Sequence, residues 1–315
     1  MNISQLVRTA TDFQQPVSEQ ALSSCLSEVI PDEIIIEISE LSSGLFNSTY
    51  RVHTNKTNYI LKIAPTEKAD VFFNERFLML REQTLSQQLQ SISPLIPQYI
   101  RYLRIDNRQA FLQNYVEGIL WHDVISELDA IKNDKLWRQL GSFARKFHTT
   151  QGERFGYPEP HCSFMLWSEF IKADVDGKIN DCERHNLACS EMYEYRRLLN
   201  EYTALLDSIV TPYLIHGDLW PRNVIITEDH NIAAVIDAER AFWGDPISDW
   251  VLLFYDLPEA FWQGYGVNLL ENTDPKLIAL YKGMYYILNI LESVRFPDDI
   301  QPYKKKLQQV LSFLN

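Results

Sequence analysis

Three polar residues, Asp218, Asn223 and Asp237, stand between short apolar runs in residues 216–246. Moving a phosphoryl group requires a carboxylate that accepts a hydroxyl proton and hard oxygen ligands that hold Mg²⁺ against the phosphates. Asp218 and Asn223 are five positions apart across a turn that contains Pro221, so both side chains can face one point. The apolar run AAVID ends at Asp237 and can bring its carboxylate to the same edge through a short hairpin. These residues therefore fit phosphoryl-transfer chemistry.

Asp and Asn are also common in turns and helix caps, and for any one of the three residues alone that interpretation is the better one. They occur, however, together with an upstream lysine, Lys62, and a distant glutamate, Glu82. A lysine among the apolar residues of a strand requires a partner, because an unpaired buried ammonium is costly. The combination favours one catalytic site over a set of unrelated turn residues.

The elements that must position these residues begin with a β-rich half. Residues 1–30 are predicted to be helical, because apolar side chains recur every fourth residue. This apolar stripe consists of Leu22, Leu26 and Ile30. Residues 33–65 alternate β-branched runs with the turn sequences SSG and TNKTN, which predicts three strands. A helix is expected in residues 74–92, followed by a hairpin that turns at Asp106 and Asn107.

The second half is predicted to be mainly helical. Amphipathic helices are expected in residues 133–150, 190–210 and 283–296. The exceptions are the segments YLIHGD, NVIIT and AAVID, which are typical of short buried strands separated by turns. The predicted fold class is α+β, with a β-rich lobe in residues 1–116 that includes the leading helix and a larger helical lobe in residues 117–315. A ligand cleft is expected between two such lobes.

A resemblance to a known family rests on the same polar segment. HGDLWPRN, followed by VIDAERAFWGDP, resembles the catalytic and metal-binding segments of the aminoglycoside phosphotransferase family. That family also includes choline, fructosamine and macrolide kinases and shares the protein-kinase fold. The similarity extends over roughly residues 35–300. It implies a bilobal protein-kinase-like fold, in which the small antiparallel sheet lobe binds nucleotide and the helical lobe holds the catalytic residues and the acceptor.

The resemblance implies a role for each polar residue of the segment. Asp218 resembles the catalytic base, Asn223 a Mg²⁺ ligand, and Asp237 the second metal ligand, which bridges the nucleotide phosphates. His216 resembles the residue that orients the catalytic loop, and we assign it no part in proton transfer. Mg²⁺ is then the implied cofactor, and ATP or GTP the implied co-substrate.

In the β-rich half, the resemblance implies a nucleotide site. Lys62, in NYILKIAP, corresponds to the lysine that binds the α- and β-phosphates, and Glu82 corresponds to the glutamate that pairs with it. Glu75 is the weaker candidate partner, because Glu82 better fits the family spacing. The segment SSGLFNS contains one glycine and by itself fits an ordinary hairpin turn equally well. The remaining implied nucleotide contacts are backbone groups of this loop and of the hinge: Gly44, Asn47, Ser48, Asn114, Tyr115 and Val116.

Departures from the protein-kinase pattern indicate the small-molecule branch of the family. Trp220 stands two residues after Asp218, where protein kinases commonly have a lysine. Ala238 and Glu239 follow the metal-binding aspartate in place of phenylalanine and glycine. Further along, two other acids are expected to be structural, because an Asp cap before proline suffices to explain the GDP turn. They are Asp245, which forms that cap, and Asp249, which is expected to brace the catalytic loop.

The implied function is an ATP- or GTP-dependent phosphotransferase that moves the γ-phosphoryl group to a hydroxyl of a small molecule. One alternative is a non-catalytic pseudokinase module, against which the retention of Lys62, Asp218, Asn223 and Asp237 argues. Another is a protein kinase, which the lack of a recognisable activation segment disfavours. The identity of the acceptor, the choice between ATP and GTP and the oligomeric state stay open at this stage.

The acceptor is expected to dock on the helical lobe. Two segments there, residues 156–185 and 256–272, combine carboxylates with aromatic side chains, which would suit a cationic amine or an amino sugar. The candidates are Trp167, Glu169, Asp174, Asp256, Glu259 and Trp262. The same residues on helices also fit a solvated face and the edge of a core, so a sugar, an amino alcohol or another metabolite remains possible.

Composition excludes several other classes of protein. A net charge of −13 argues against a nucleic-acid surface, which would require a basic patch. No window approaches the roughly 18 apolar residues of a membrane span, and the first residues do not form a signal peptide, so a cytoplasmic protein is expected. Cys182, His185 and Cys189 align on one helical face, but a fourth metal ligand is lacking and the spacing fits no common zinc pattern.

Overall fold

The structure, a computed structural model, describes residues 1–9, 12–42, 44, 46–159, 162–296 and 299–315. Its strands are β1 (Asn2–Ser4), β2 (Ile35–Leu41), β3 (Ser48–Thr54), β4 (Asn58–Ile63), β5 (Tyr99–Ile105), β6 (Arg108–Asn114), β7 (Ile119–Leu120), β8 (Phe155–Gly156), β9 (Ser163–Phe164), β10 (Tyr213–Ile215), β11 (Val224–Ile226), β12 (Ile232–Val235) and β13 (Phe242–Gly244). Its helices are α1 (Glu19–Val29), α2 (Leu78–Ile92), α3 (Trp121–Val124), α4 (Ala130–His148), α5 (Trp167–Arg184), α6 (Ser190–Glu201), α7 (Thr203–Leu206), α8 (Trp250–Phe254), α9 (Glu259–Tyr265), α10 (Pro275–Glu292) and α11 (Gln301–Leu314).

The first part of the chain forms a six-stranded sheet in the order β1-β2-β3-β4-β6-β5. Its neighbouring strands are antiparallel, except that β1 pairs in parallel with β2. The three strands and the later hairpin predicted from the sequence are confirmed. The hairpin turns at Asp106 and Asn107, whose φ angles of 49° and 62° suit a tight two-residue connection.

The prediction that residues 1–30 are helical is correct only for α1. Ser18 caps this helix, because its hydroxyl accepts the Ala21 N–H at 3.2 Å. Residues 2–4 instead form β1, which pairs with residues 37–39 of β2. Apolar periodicity within a short window cannot reveal pairing with a strand so much later in the chain, and this explains the error.

The two faces of the six-stranded sheet have different partners. On one face, α1 packs over buried strand residues such as Tyr50, Leu61 and Ile63. Because side chains alternate along a strand, Lys62 projects from the opposite face, where its ammonium lies 5.5 Å from the centroid of the Phe111 ring. The helix α2, which carries Glu82, lies on this second side. The alternation of β4 thus directs one lysine away from the apolar core and towards α2.

The rest of the chain is mainly helical, as predicted. One apolar cluster joins α4 and α9 to the hairpin of β11 and β12, and a second joins α5, α6, α10 and α11. The strands expected in YLIHGD, NVIIT and AAVID are confirmed as β10, β11 and β12, which belong to two small sheets. The predicted lobe boundary at residue 116 falls between β6 and β7 and stays a prediction. None of the described helices combines the length and apolar composition needed to cross a membrane.

Arg81 on α2 joins the two halves of the protein. Its Nε and Nη2 donate to Glu159 Oε1 at 2.9 and 2.6 Å, and both side chains of this ion pair are buried. The guanidinium carbon also lies 3.6 Å from the ring centroid of Tyr157, within cation–π distance. A buried guanidinium with these partners has little freedom to move. Arg81 therefore fixes the position of α2, and of the adjacent Glu82, relative to the helical half.

Candidate active site

Asp218 and Asn223 face each other across the turn between β10 and β11. Asn223 ends a 3₁₀ turn at residues 221–223, which begins with a proline whose fixed φ suits that position. Its Nδ2 donates to the carboxylate Oδ2 and to the backbone carbonyl of Asp218, both at 2.9 Å. With the amide nitrogen engaged in this way, the Asn223 Oδ1 is left as the acceptor of this side chain.

The backbone that carries Asp218 is held by buried groups. Gly217 has φ of +78°, and a Cβ there would lie 2.4 Å from the Arg240 carbonyl oxygen, so only glycine fits. Its N–H donates to Asp249 Oδ1 at 3.2 Å, while Asp249 Oδ2 lies 3.0 Å from His148 Nε2. The Asp218 N–H donates to His216 Nδ1 at 3.3 Å. These contacts agree with the roles expected of His216 and Asp249, which are to hold the catalytic loop in place.

Asp245 also has a structural environment. Its carboxylate accepts the Ile247 N–H at 3.1 Å, which caps the turn that follows, and it accepts the Tyr281 hydroxyl at 2.7 Å. The side chain is buried, and burial raises its pKa, although these hydrogen bonds oppose the effect. A carboxylate with both partners inside the protein is not available to a ligand.

The carboxylate of Asp218 has an unusual acid–base property. Burial raises its pKa to about 6, against the lowering effects of the Arg240 guanidinium and the hydrogen bond from Asn223. Arg240 is itself paired with Glu292, at 2.9 Å between Nη2 and Oε1. The Asp218 carboxylate is therefore half protonated near pH 6. The neighbouring Arg240 guanidinium already has its charge balanced by Glu292. These are the properties of a group that can accept a proton near neutral pH.

A second cluster forms around Lys62. Asp237 lies two residues beyond β12 in left-handed backbone, with φ of 62°, and its carboxylate forms an ion pair with the Lys62 ammonium. The Lys62 Nζ is also 3.9 Å from Glu82 Oε2, and the Tyr99 hydroxyl donates to the other oxygen of Glu82. Glu75, the weaker candidate partner, instead pairs with Arg295. The structure therefore brings Lys62, Glu82 and Asp237 together and excludes Glu75 from the cluster.

The charge state of Lys62 follows from these neighbours. Burial alone would lower its pKa, but the carboxylates of Asp237, Glu82 and Glu239 outweigh that effect and raise it. Lys62 is therefore a permanently charged ammonium. Such a group in a protected site can neutralise a phosphate without changing its own protonation state.

Two cavities flank this pair of clusters. The first has a volume of about 230 Å³. It is lined by Leu41, Gly44, Thr49, Ile60, Lys62, Pro97, Gln113, Asn114, Tyr115, Val116, Gly118, Leu120, Ile225, Ile236 and Asp237. Asn47 and Ser48, which were expected beside Gly44 at a nucleotide, are not among these residues. Asn47 instead donates through Nδ2 to Glu239 Oε2 at 2.6 Å, and Ser48 is buried at the start of β3.

The second cavity is larger, at about 500 Å³, and contains Asp218. It is lined by Phe46, Glu75, Gly217, Asp218, Trp220, Arg240, Trp250, Phe254, Tyr285, Tyr286, Leu288, Asn289, Glu292, Arg295, Phe296, Tyr303 and Lys306. Eight of these 17 residues are aromatic, and nine lie on α8, α10 and α11. The volume is within the range of small-molecule sites in proteins.

Comparison with known proteins identifies the family. The sequence profile described as "Phosphotransferase enzyme family" matches residues 37–281, which is most of the chain. The protein belongs to this phosphotransferase family. A protein from Vibrio parahaemolyticus that is named a probable ketoamine kinase is 22% identical over 289 residues, covering 86% of this chain and 91% of that protein.

Solved structures of this phosphotransferase family share the fold. A structure from Haemophilus somnus with the provisional name fructosamine-3-kinase matches with a TM-score of 0.68 and 17% identity, over 92% of this chain and 96% of that one. A thermostable variant of aminoglycoside phosphotransferase APH(4)-Ia, in complex with ADP and hygromycin B, matches with a TM-score of 0.67 and 15% identity, over 93% and 98%. The predicted bilobal, protein-kinase-like α+β fold is confirmed.

None of the six residues expected to bind the acceptor of this phosphotransferase lines the cavity that contains Asp218. Trp167 and Trp262 are buried in the two apolar clusters of the helical half. Glu169 caps the first turn of α5, and Asp174 is buried in an ion pair with Lys178. Asp256 and Glu259 are exposed, and all six residues lie outside the lining of the Asp218 cavity. The expectation was wrong for the tryptophans because sequence alone does not tell which helix face meets the core.

The oxygen atoms near Asp218 fit a magnesium ion. Asn223 Oδ1 and the carboxylate of Asp237, whose side chain is 36% exposed, are hard donors of the kind Mg²⁺ prefers. Elsewhere within the described ranges, no three His, Cys, Asp or Glu side chains gather as a metal site would require. Of the three residues considered as zinc ligands from the sequence, Cys182 is buried in an apolar cluster, and His185 Nε2 lies 3.1 Å from Asp70 Oδ2.

Sequence reasoning missed three charged residues of the site. Glu239 and Arg240 occupy the 3₁₀ turn at residues 238–240, directly after Asp237, while Glu292 ends α10. On sequence alone, Glu239 is notable only as a departure from a protein-kinase motif. Its neighbour Arg240 could have been suspected from its position three residues after a metal-ligand candidate. The pairing of Arg240 with Glu292 spans 52 positions and had no signal in the sequence.

Proposed function

We propose that this protein is an ATP-dependent kinase of a small molecule, which transfers the γ-phosphoryl group to a hydroxyl of its acceptor. The observation that carries the proposal is the hydrogen bond from Asn223 to Asp218. Asp218 belongs to the larger cavity, while Asp237 and Lys62 belong to the smaller one. A nucleotide in the smaller cavity and an acceptor in the larger one would therefore meet at the Asp218–Asn223 pair.

The smaller cavity suits an adenine nucleotide. In the hinge, the N–H groups of Asn114 and Tyr115 already donate to Gln98 and Asn58 carbonyls at 2.9 and 3.3 Å. Within the described part of the chain, the Val116 N–H has no such acceptor, so it is the hinge donor available to a purine edge. Lys62 at the other end is available for the α- and β-phosphates, and Gly44 lets the backbone of its loop approach them. ATP is the first nucleotide to test and GTP the second.

The proposed reaction is a direct displacement at phosphorus. Asp218 orients the acceptor hydroxyl and takes its proton as the oxygen forms a bond to the γ-phosphorus. The bond from that phosphorus to the β–γ bridging oxygen breaks, and the electron pair leaves with ADP. Because little covalent chemistry falls to the protein, the rate depends on how the two substrates are aligned and how the phosphate charge is balanced.

Two oxygen donors would hold Mg²⁺ during this reaction. Asn223 Oδ1 and Asp237 are the proposed ligands, and the bound ion would supply charge neutralisation for the β- and γ-phosphates. In the structure, the Lys62 ammonium forms an ion pair with the Asp237 carboxylate. Glu82, itself held by Tyr99, would keep Lys62 in place from the other side.

Ketoamines are the proposed first class of acceptor. The support comes from the Vibrio relative, which carries that activity in its name. The aromatic walls of the larger cavity are compatible with the apolar faces of a sugar ring, while Asp218 would select a hydroxyl.

A panel assay tests the proposed function. Purified protein would be incubated with Mg²⁺ and ATP or GTP, and nucleoside diphosphate release would be measured with ketoamines, aminoglycosides, macrolides, choline and a generic protein substrate. We expect release to be stimulated by a small molecule, and by ketoamines before the others. Stimulation by the protein substrate alone would contradict the proposal, and nucleotide binding without transfer to any acceptor would favour a non-catalytic module.

The pH dependence of the reaction should report Asp218. Because burial raises the pKa of this carboxylate to about 6, it is protonated below that pH and cannot accept a proton. With excess Mg²⁺, we expect kcat/KM for ATP to fall about tenfold for each pH unit below 6. The measurement is a profile from pH 5 to 8, with circular dichroism to verify folding at each pH. An acid limb centred near pH 4 would contradict the perturbed pKa of Asp218.

A further inference from the structure

The charges that line the Asp218 cavity largely neutralise one another. Glu75 forms an ion pair with Arg295, and Glu292 pairs with Arg240 at 2.9 Å. The Arg295 guanidinium carbon also lies 3.9 Å from the ring centroid of Phe72 and 4.1 Å from that of Phe13. Both glutamates are therefore engaged by arginines, and Arg295 is further held by aromatic rings.

Lys306 is the exception among the basic residues of this lining. Among the ion pairs formed by the described residues, none includes Lys306, and its side chain is exposed on α11. Its ammonium lies 5.7 Å from the ring centroid of Tyr286 and 5.9 Å from that of Tyr303, and both rings line the same cavity. Lys306 thus places an ammonium at the cavity that holds Asp218.

We propose that the acceptor carries a carboxylate, which Lys306 binds while a hydroxyl of the same molecule reaches Asp218. This inference rests on the proposed kinase function and adds a substrate class to it, namely a polyhydroxylated adduct with a free carboxylate. A lone ammonium is a point charge without the fork of a guanidinium. One ammonium can balance the single charge of a carboxylate, whereas a phosphate, as proposed at Lys62, is bound together with a metal ion and further donors.

The same charges argue against a polycationic acceptor. The Asp218 carboxylate is reserved for the acceptor hydroxyl, and the two glutamates of the lining already pair with Arg295 and Arg240, so an ammonium group of the acceptor would have to displace one of these arginines to pair with a glutamate. Nearby, the guanidinium carbon of Arg222 lies 5.4 Å from the ring centroid of Trp220, which adds another positive charge beside the cavity. The lining itself is balanced, with Arg240, Arg295 and Lys306 against Glu75, Asp218 and Glu292, so Arg222 leaves one positive charge in excess.

Two matched acceptors test this assignment. The fructose adduct of glycine has a free carboxylate, whereas the fructose adduct of glycinamide has an amide at the same position and is otherwise alike. For the wild-type protein at low ionic strength, we expect kcat/KM to be about fivefold higher for the glycine adduct, as for one partly exposed ion pair. Lys306→Met should remove that preference by lowering kcat/KM for the glycine adduct alone. Lys305→Met is the matched control, because Lys305 is exposed on the same helix and does not line the cavity.

Each outcome decides one of the two proposals. Equal use of both adducts by the wild-type protein, or a Lys306→Met variant that loses activity equally towards both, would overturn the carboxylate site and leave the kinase function intact. If an unrelated acceptor is phosphorylated and neither adduct is, the carboxylate site is again overturned and the kinase function stands. Absence of transfer to every acceptor of the wider panel would instead overturn the kinase function. Because Lys306 is exposed, its replacement is not expected to unfold the protein.

Discussion

Replacing Asp218 with asparagine should lower kcat by about 10²- to 10⁴-fold, the range that general-base catalysis contributes. The amide cannot accept the hydroxyl proton, yet it retains an oxygen for the hydrogen bond that Asn223 Nδ2 now donates to the carboxylate at 2.9 Å. The geometry of the turn should therefore survive. The measurement is acceptor-dependent ADP release at saturating substrates, compared with Asp229→Asn, which alters an exposed carboxylate of the same half.

The folded stability of the same variant separates a catalytic defect from a structural one. Burial raises the pKa of Asp218 to about 6, so the folded protein holds an unfavourable charge at pH 7. Removing that charge should leave the thermal midpoint unchanged or raise it. Nucleotide affinity, measured by titration calorimetry, should also be largely retained. Normal turnover by the variant would refute the assignment of Asp218 as the base, and a lowered thermal midpoint would show that the carboxylate is mainly structural.

Local patterns predicted much of the fold. The strands β2, β3 and β4 and the hairpin at Asp106 and Asn107 could be predicted because their signals, alternation and turn residues, lie within a few positions of one another. The strand β1 could not, because its hydrogen bonds go to a distant part of the sequence. The amphipathic helices were predicted in the right regions, although residues 190–210 contain both α6 and α7, and α10 begins at Pro275, eight residues before the predicted start. The sequence did not predict which face of each helix meets the core. Trp167 and Trp262 were consequently expected at a ligand, although both pack in the core.

The candidate site also combines residues that the sequence could predict with residues that it could not. The residues of one segment, Asp218, Asn223 and Asp237, could be proposed together because their types and spacing carry the chemistry. The choice of Glu82 over Glu75 required the spacing known from the family, since both acids stand near the same helix. The wall of the larger cavity could not be anticipated, because α8, α10 and α11 contribute to it from separate parts of the chain. Lys306 belongs to a run of three lysines at residues 304–306, and only the structure shows that it is the one that lines the cavity.

The second large effect is expected at Asp237. Replacing it with asparagine removes a proposed metal ligand, and we expect kcat to fall by about 10²- to 10³-fold, as for the loss of one electrostatic group at a transition state. A weaker ligand should also need more metal, so half-maximal activity should require a higher Mg²⁺ concentration. The measurement is a Mg²⁺ titration of activity at fixed ATP, with ATP binding determined separately.

A parallel variant, Lys62→Met, distinguishes two explanations for that loss. Asp237 forms an ion pair with Lys62, so it could act through the lysine and not through a metal. Lys62→Met removes the ammonium and leaves Glu82 buried beside an apolar side chain, which should weaken ATP binding without changing the Mg²⁺ requirement. If Asp237→Asn behaves in the same way, with an unaltered Mg²⁺ requirement, then Asp237 positions Lys62 and the metal must bind elsewhere. A shifted requirement in Asp237→Asn alone would establish the carboxylate as a ligand in its own right.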